Sequence, residues 1–319
     1  MGDDKVNHED GIAPLTFEEK KSKSQIGVVL DVVTSEGVKF DEFIVEAFGE
    51  TAKNFFDYRD EKHPGKVIHM ARILNGSHFY HEDANLSFLT SEHLQLTDEE
   101  KARVVISLSV ADAKVTESAA LANGATSMVK VEKQFWGAEY GIIKDPQGIF
   151  WSLTTITPGR PTFSLSKAEV HNIAPEIQVN NAAAEIEWIE KVLGATSAGP
   201  IHKKDEKVMH SSFNVNGGMV YICDIFPEFS TRKHPDITIS LFIGEGEGSS
   251  LADKLSAGGG KITMPVARQF WGSVYGRVID RFGQQWSVSE AGSMKRKHEE
   301  NGEENGHDAK KRKEEKASE

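Results

Sequence analysis

The sequence contains a single cysteine, Cys223, among its 319 residues. One thiol cannot form a disulfide within the chain, and it cannot supply a thiolate metal cluster. No apolar run approaches the roughly 18 residues that a membrane-spanning helix needs. The first residues also lack the apolar core of a secretory signal. We therefore predict a protein without membrane contacts that is located in the cytoplasm, the nucleus or both.

Basic residues are scarcer than acidic ones: 37 Lys and Arg stand against 49 Asp and Glu, which gives a formal net charge of −12. The negative charge lies upstream of the C-terminal segment, because Lys295 to Glu319 contains eight residues of each sign. An acidic surface repels the phosphate backbone of nucleic acids. The folded part of the chain is therefore not predicted to bind nucleic acid.

One sequence motif occurs twice, and each of its residues recurs 135 positions later. The first occurrence comprises Gln134, Phe135, Trp136, Gly137, Tyr140, Gly141, Asp145, Gly148, Trp151 and Ser152. The second comprises Gln269, Phe270, Trp271, Gly272, Tyr275, Gly276, Asp280, Gly283, Trp286 and Ser287. This repeat predicts two tandem copies of one domain, so that any site exists twice or has been lost from one copy.

Each copy switches twice between strand and helix periodicity. In the first copy, the apolar run 26–33 predicts a strand, and the apolar stripe of 40–48 predicts a helix. Two strands around an Asn-Gly turn follow. The same order begins again with a strand at 104–110 and a helix at 114–122. Each copy is therefore predicted to run strand-helix-strand-strand-strand, twice.

Composition predicts the boundaries of these domains. We expect a disordered N-terminal arm at 1–24, domain 1 at 26–156, a linker with two prolines at 157–172, domain 2 at 173–291 and a disordered charged tail at 292–319.

Two basic clusters in the tail are typical of a bipartite nuclear import signal, which would bind the acidic grooves of an import receptor. Their residues are Lys295, Arg296, Lys297, Lys310, Lys311, Arg312 and Lys313. The alternative is a solvated tail of low complexity, and both interpretations stay open.

The repeated units, each pair ending in Phe-Trp-Gly, Tyr-Gly and Asp-x-x-Gly-x-x-Trp, resemble the vicinal oxygen chelate superfamily. That superfamily includes glyoxalase I, bleomycin resistance proteins and extradiol dioxygenases, and the resemblance is greatest to its PhnB-like branch. The resemblance covers both copies. It implies an α+β fold of two tandem glyoxalase-like domains, each of two βαβββ units that form a curved sheet around a cavity, with the helices outside.

The resemblance also implies positions for a divalent metal, which the enzymes of this superfamily bind inside the cavity. The corresponding positions here are Val29, Tyr80 or Glu82, Val105 and Ser152 in copy one, and Ala174, Tyr221 or Cys223, Thr238 and Ser287 in copy two. Most of these side chains offer no carboxylate or imidazole to a hard ion. We therefore predict no cofactor, with Glu82 as a fallback ligand. The alternative is a metal site in copy one made of Asp31, Glu82 and a local histidine.

Several residues are candidates for contact with a small molecule. His69 and His210 occupy equivalent places and are either hydrogen-bonded structural residues or ligand contacts. Trp136 and Trp271 each precede a glycine and form either a flat wall for a ligand or a core anchor. The last Trp of each motif alternates with Ser, so we expect that Trp to face the helices and its neighbours to face the cavity. The predicted ligand-binding residues are His69, Tyr80, Trp136, Phe150, Ser152, His210, Tyr221, Trp271, Gln285 and Ser287.

Three functions are compatible with the sequence. The first is a metal-free protein that binds a small, partly apolar molecule. The second is a metal-dependent lyase or dioxygenase that acts through one copy, with Glu82 as ligand or base. The third is a nuclear interaction scaffold whose cavities are vestigial. The sequence does not decide whether the protein is an enzyme.

Overall fold

Four similar units follow one another along the chain. The computed structural model describes residues 27–49, 52–59, 63, 65–74, 77–84, 102–134, 137–156, 173–226, 236–269 and 272–290. The predicted arm, linker and tail lie outside these residues, and so do all seven basic residues of the predicted import signal. None of the helices within the described ranges has the length and apolar character needed to cross a membrane.

Each unit begins with a strand and a helix and continues with further strands. Unit 1 consists of β1 (Val28–Thr34), α1 (Gly37–Phe48), β2 (Ala52–Arg59), β3 (Val67–Leu74) and β4 (Ser77–Asp83). Unit 2 consists of β5 (Arg103–Val110), α2 (Ala113–Ala122), β6 (Thr126–Lys133), β7 (Glu139–Lys144) and β8 (Phe150–Thr155). Unit 3 consists of β9 (Ile173–Val179), α3 (Ala182–Leu193), β10 (Thr196–Ser197), β11 (His202–Lys204), β12 (Lys207–His210), β13 (Ser212–Val215) and β14 (Gly218–Asp224). Unit 4 consists of β15 (Asp236–Ile243), α4 (Gly248–Ala257), β16 (Lys261–Arg268), β17 (Val274–Ile279) and β18 (Gln285–Glu290).

Each of two eight-stranded curved sheets combines one unit from each copy. The first sheet has the strand order β16-β17-β18-β15-β1-β4-β3-β2 and joins units 4 and 1. The second has the order β10-β13-β14-β9-β5-β8-β7-β6 and joins units 3 and 2. At the centre of each sheet the two copies meet through an antiparallel pair, β1 with β15 and β5 with β9. The predicted α+β class with two curved sheets is confirmed. The two units of one copy do not share a sheet, as that prediction had them, because each sheet combines a unit of one copy with a unit of the other.

Within a copy, the two units pack through their helices. The stripe predicted on α1 is buried, and its last residue, Phe48, contacts Trp151 of unit 2 with ring centroids 4.8 Å apart. Trp188 of α3 donates a hydrogen bond from Nε1 to the carbonyl oxygen of Gly258, 2.7 Å away in unit 4. Buried apolar residues of all four units form one continuous core on this helix side.

All four helices begin in the same way, because a side chain at the end of the unit's last strand accepts a hydrogen bond from the first backbone N–H of the helix. The pairs are Gly37 with Asp83 (3.2 Å), Ala113 with Thr155 (2.9 Å), Ala182 with Asp224 (3.2 Å) and Gly248 with Glu290 (3.0 Å). The first N–H groups of a helix have no partner within the helix, and three of these four acceptors are carboxylates, which the helix dipole favours there. These bonds hold the start of each helix against the end of the last strand of its unit.

In the repeated Asp-x-x-Gly-x-x-Trp segment, the Asp side chain accepts hydrogen bonds from the turn that follows it and from the Trp. Oδ1 of Asp145 accepts hydrogen bonds from the backbone N–H groups of Gln147 (2.8 Å) and Ile149 (2.9 Å), and Oδ2 accepts one from Trp151 Nε1 (2.9 Å). Asp280 makes the equivalent bond to Trp286 at 2.7 Å. Both Trp side chains are fully buried in the helix-side core, which agrees with their predicted orientation. Burial raises the pKa of Asp145 to about 6 although these bonds oppose the shift.

The repeated Tyr-Gly pair is explained by a close approach between strands. A Cβ atom on Gly141 would lie 2.6 Å from Val131 Cγ2 and 2.7 Å from the backbone of β6. A Cβ atom on Gly276 would lie 2.6 Å from Val266 Cγ2 and 2.7 Å from the backbone of β16. Both distances are shorter than van der Waals contact, so only glycine fits. The duplicated motif therefore builds the fold at these positions.

Candidate functional site

Each sheet has one face turned away from the helices, which we call its inner face. On β1, Leu30 and Val32 belong to the helix-side core, so the alternating Val29 and Asp31 point to the inner face. Val29 packs there with residues of β3, β4 and β15 in a separate cluster. On β5 the same alternation places Val105 on the inner face of the second sheet, where it packs with Ile142 and Phe150.

Polar side chains crowd the first inner face, and many of them are buried. The buried polar residues there are Asp31, Glu82, Thr238, Ser240, Arg277, Gln285 and Ser287. Pairing between strands sets them side by side, since Asp31 lies opposite Thr238, Thr238 opposite Gln285, and Ser287 opposite Arg277. Buried polar groups are stable only when hydrogen-bonded, so their partners decide what this face can bind.

Arg277 organises the centre of the first inner face. Its Nη2 donates hydrogen bonds to Thr238 Oγ1 at 3.0 Å and to Gln285 Oε1. Because Asp31 is the strand neighbour of Thr238, the guanidinium lies beside the Asp31 carboxyl. The guanidinium charge opposes the upward shift that burial imposes on the pKa of Asp31, and so do the charges of His69 and His81.

A histidine and two tyrosines also lie near the Asp31 carboxyl on this face. Burial lowers the pKa of His69, against the attraction of Asp31, and the rings of His69 and Tyr80 lie 5.0 Å apart. Burial, with a contribution from the Asp31 charge, raises the pKa of the Tyr80 phenol. Burial also raises the pKa of Tyr275 on β17. The face therefore places an imidazole and two phenols around a buried carboxyl.

An apolar wall borders this polar centre. Val29, Ala71, Tyr80 and Phe242 pack together, and the rings of Tyr80 and Phe242 lie 6.3 Å apart in an edge-to-face arrangement. Aromatic rings in this arrangement present a large apolar surface at small entropic cost. The combination of a polar centre and an apolar wall suits a small molecule with one polar end.

The second inner face repeats part of this arrangement. Glu176 pairs with Tyr221 as Asp31 pairs with Tyr80, and His210 lies near Tyr221 with ring centroids 5.1 Å apart. His210 Nε2 lies 3.1 Å from Ser212 Oγ. Glu176 Oε1 accepts hydrogen bonds from Gln178 Nε2 at 3.0 Å and from Cys223 Sγ at 3.6 Å. A carboxyl, a tyrosine and a histidine thus meet at both inner faces, although His210 comes from β12, which pairs with β11 outside the second sheet.

The two inner faces differ in the residues that surround the carboxyl. Thr238, Arg277 and Gln285 of the first face are replaced by Val105, Ile142 and Phe150 in the second. All three changes go from polar to apolar. Two copies of one scaffold therefore present two different chemical surfaces.

The structure distributes the predicted ligand-binding residues over both faces. His69, Tyr80, Gln285 and Ser287 lie on the first face, and Phe150, Ser152 and Tyr221 lie on the second. His210 lies on β12, which pairs with β11 in a separate two-stranded sheet, and its ring reaches Tyr221 of the second face. Trp136 and Trp271 lie outside the described residues, so their role as wall or anchor stays a prediction.

Sequence reasoning missed several residues of the inner faces, among them Glu176, Phe242, Tyr275 and Arg277. A signal for Arg277 exists in the repeat, because the residue 135 positions earlier is Ile142. A charged residue that replaces an apolar one in a duplicated strand marks a change of environment. No comparable signal singles out Glu176, which differs from Asp31 by one methylene group.

A second ionic group, on the helix side of unit 1, consists of Asp41, Arg72 and His81. Arg72 Nη2 donates to Asp41 Oδ2 at 2.6 Å, and His81 Nε2 lies 3.2 Å from Asp41 Oδ1. Burial opposes ionisation of Asp41, yet hydrogen bonds from His81 and Arg72 outweigh it and hold the pKa of the carboxyl below its ordinary value. His81 is fully buried beneath Phe40, so this group braces α1 against the sheet and does not reach the inner face.

The residues of the inner faces do not fit the divalent metal that the resemblance implies. On the first face the carboxyls of Asp31 and Glu82 are accompanied mainly by hydroxyl, amide and guanidinium groups. Within the described part of the chain, no three His, Cys, Asp or Glu side chains form a group that could hold a metal ion. Hard divalent ions require several such oxygen or nitrogen donors around one point.

Comparisons with known proteins agree with this architecture. Residues 170–288 match the family model of the Glyoxalase/Bleomycin resistance protein/Dioxygenase superfamily. Over 126 residues, 37% of this chain, the sequence is 28% identical to the uncharacterized protein Mb0911c of Mycobacterium bovis, with 82% of that protein covered. The uncharacterized protein Rv0887c of Mycobacterium tuberculosis is 28% identical over the same share of this chain, with 73% of its length covered.

Two solved structures share the fold along most of the chain. Glyoxalase I from Zea mays superposes with a TM-score of 0.58 at 12% identity, covering 86% of this chain and 95% of that one. A putative dioxygenase from Bacillus subtilis gives a TM-score of 0.55 at 10% identity, covering 85% and 86%. At such identities the likeness shows the fold alone. Residues 170–288 are thus similar to the glyoxalase/bleomycin resistance/dioxygenase superfamily, and the fold is shared with glyoxalase I along most of the chain.

Proposed function

We propose that this protein binds a small, partly apolar molecule on the inner faces of its two sheets, without a metal ion. The observation that carries the proposal is the meeting of buried polar groups with an apolar wall on the first inner face. Asp31, Thr238 and Arg277 supply the polar groups, and Tyr80 and Phe242 supply the wall. Ligand sites in proteins are mostly apolar with a few convergent polar groups.

The chemistry of the donors supports a metal-free site. The positions that would carry ligands on the first and fourth strands of the units hold aliphatic, hydroxyl and phenol side chains, apart from Glu82 and Cys223. Asp31 and Glu82 alone would leave most of the coordination shell of a divalent ion to water. The PhnB-like branch, a nuclear location and any catalysed reaction stay predictions beside this proposal.

Native mass spectrometry of the purified full chain tests the proposal, combined with elemental analysis of the same sample. We expect a bound organic molecule that is released on denaturation, and less than a tenth of an equivalent of any divalent metal. One equivalent of zinc, nickel, manganese or iron would contradict the proposal if it is lost from Glu82→Ala. Glu46→Ala is the matched control, because Glu46 is exposed on α1.

A further inference from the structure

We propose that the first inner face selects an uncharged molecule that carries a hydrogen-bond donor on an apolar body, and that Asp31 recognises this donor. The inference rests on the proposed function and names the class of ligand for the first of the two faces. Alcohols, phenols and amides with a free N–H belong to this class.

On this face, the carboxyl of Asp31 is buried and one of its oxygens has no hydrogen-bond donor among the described residues. Its side chain lies at the centre of the sheet, the residue is 6% exposed, and Oδ1 accepts no hydrogen bond from the residues that the structure describes. A buried carboxyl oxygen without a donor is costly, because water no longer solvates it. A ligand that donates a hydrogen bond to Oδ1 would remove this cost, whereas a ligand without a donor would leave it in place.

The equivalent carboxyl in the second sheet shows what a satisfied acceptor looks like. Glu176 Oε1 accepts hydrogen bonds from Gln178 and Cys223. At the places of Gln178 and Cys223, unit 1 has Val33 and Glu82, and Oδ1 of Asp31 accepts no hydrogen bond from either of them. The scaffold therefore provides donors to one carboxyl and withholds them from the other.

The charges around Asp31 favour an uncharged ligand. The guanidinium of Arg277 is fixed beside Asp31 by its bonds to Thr238 and Gln285, and it would repel an ammonium group placed there. The carboxyls of Asp31 and Glu82 would repel a carboxylate or phosphate. The apolar wall beside them, which includes Phe242, would accept the rest of the molecule.

Phenol, anisole and toluene form a matched set of probes, because they share a ring and only phenol carries a donor. Calorimetric or NMR titration of the full chain should show phenol binding at least about tenfold more tightly than anisole, since a hydrogen bond to a buried carboxyl adds about this factor. Benzoate and benzylammonium should bind more weakly than phenol. Asp31→Ala should reduce the ratio of phenol to anisole affinity to about one, whereas Asp31→Asn keeps an acceptor and should retain part of it.

Glu176→Ala is the control, because it removes the equivalent carboxyl from the second sheet and should leave the phenol preference at the first face intact. The melting temperature gives a second readout: Asp31→Ala should melt at or above the wild-type temperature, whereas a structural role would lower it. A preference that survives in Asp31→Ala overturns the inference, and so does equal binding of phenol and anisole to the wild type. If none of the three probes binds, the proposed function itself fails.

Discussion

Glu185 on α3 is a carboxyl that the fold buries without a partner. The residue is fully buried, and neither carboxyl oxygen has a hydrogen-bond partner among the described residues. Burial raises the pKa of Glu185 well above its ordinary value of 4.5, and the charge of Asp280 adds to the shift while Arg281 opposes it. The helix-side core therefore holds this side chain in its uncharged form.

Replacing Glu185 by Met should stabilise the protein. Gly37 and Ala182 begin α1 and α3, so the place of Glu185 corresponds to that of Phe40, an apolar residue that is fully buried. A buried polar group without a hydrogen bond costs about 1–3 kcal/mol. Met has a similar length and needs no partner, so we expect the free energy of unfolding at pH 7.5 to rise by about 1–3 kcal/mol.

The gain should depend on pH, and its sign follows from linkage. The folded state keeps a proton on Glu185 that the unfolded state releases above the ordinary pKa of 4.5, so wild-type stability falls as the pH rises from there towards the folded pKa. The Met variant lacks this dependence. Its advantage over the wild type should therefore be larger at pH 8 than at pH 5.

Urea denaturation of the wild type and of Glu185→Met at pH 5 and pH 8 measures both effects. Glu187→Met is the control, because Glu187 is exposed on the same helix, and it should change stability by less than about 0.5 kcal/mol. A Glu185→Met variant that is less stable than the wild type at both pH values, or equally stabilised at both, would refute this account of the core.

Three further predictions concern other buried groups. Asp224→Ala should lower the free energy of unfolding by about 2–6 kcal/mol, because Asp224 accepts hydrogen bonds from the buried N–H groups of Ala182 and Val208; a loss below 1 kcal/mol in thermal or urea denaturation would contradict this. Gly276→Ala should cost at least about 1–3 kcal/mol in the same assay, because its Cβ would overlap the neighbouring strand, and a neutral substitution would disprove the close approach. Cys223 should not react with Ellman's reagent at pH 8 until urea is added, because burial, followed by Glu176, raises the pKa of its thiol; one equivalent of rapid reaction in the folded protein would rule this out.

Local structure could be predicted from the sequence because its signals are local. The strand predicted at 104–110 is β5, which begins one residue earlier, and the helix predicted at 114–122 is α2, which also begins one residue earlier. The pairing of units into sheets could not be predicted. All four units share one pattern of strands and helices, so nothing in the pattern distinguishes a neighbour in the same copy from a neighbour in the other.

The hydrogen bond that begins each helix escaped prediction, because its acceptor is distant in the chain. Asp83 lies 46 positions after Gly37, and Glu290 lies 42 positions after Gly248. A cap from such a distance leaves no short pattern in the sequence. α2 has a local cap in addition, because Asp112 directly before it accepts hydrogen bonds from its first turn.

For the candidate site, the sequence predicted which face of a sheet a side chain points to, because side chains alternate between the two faces along a strand. The side of Trp151 and Trp286 fixed the side of their neighbours, so Phe150, Ser152 and Gln285 could be assigned to a face. Which side chains meet across a sheet was out of reach, because Asp31 and Thr238 come from opposite ends of the chain and meet only when β1 pairs with β15.

The exchange of units between copies has a consequence for how the two inner faces can diverge. In a symmetric dimer of a single copy, both composite surfaces would be encoded by the same gene segment, so a change of Ile to Arg would alter both at once. In the fused chain, units 4 and 1 build one surface and units 3 and 2 build the other. Each surface can therefore acquire its own chemistry. Arg277 and Ile142 occupy equivalent positions of the repeat and show that the two surfaces have already diverged.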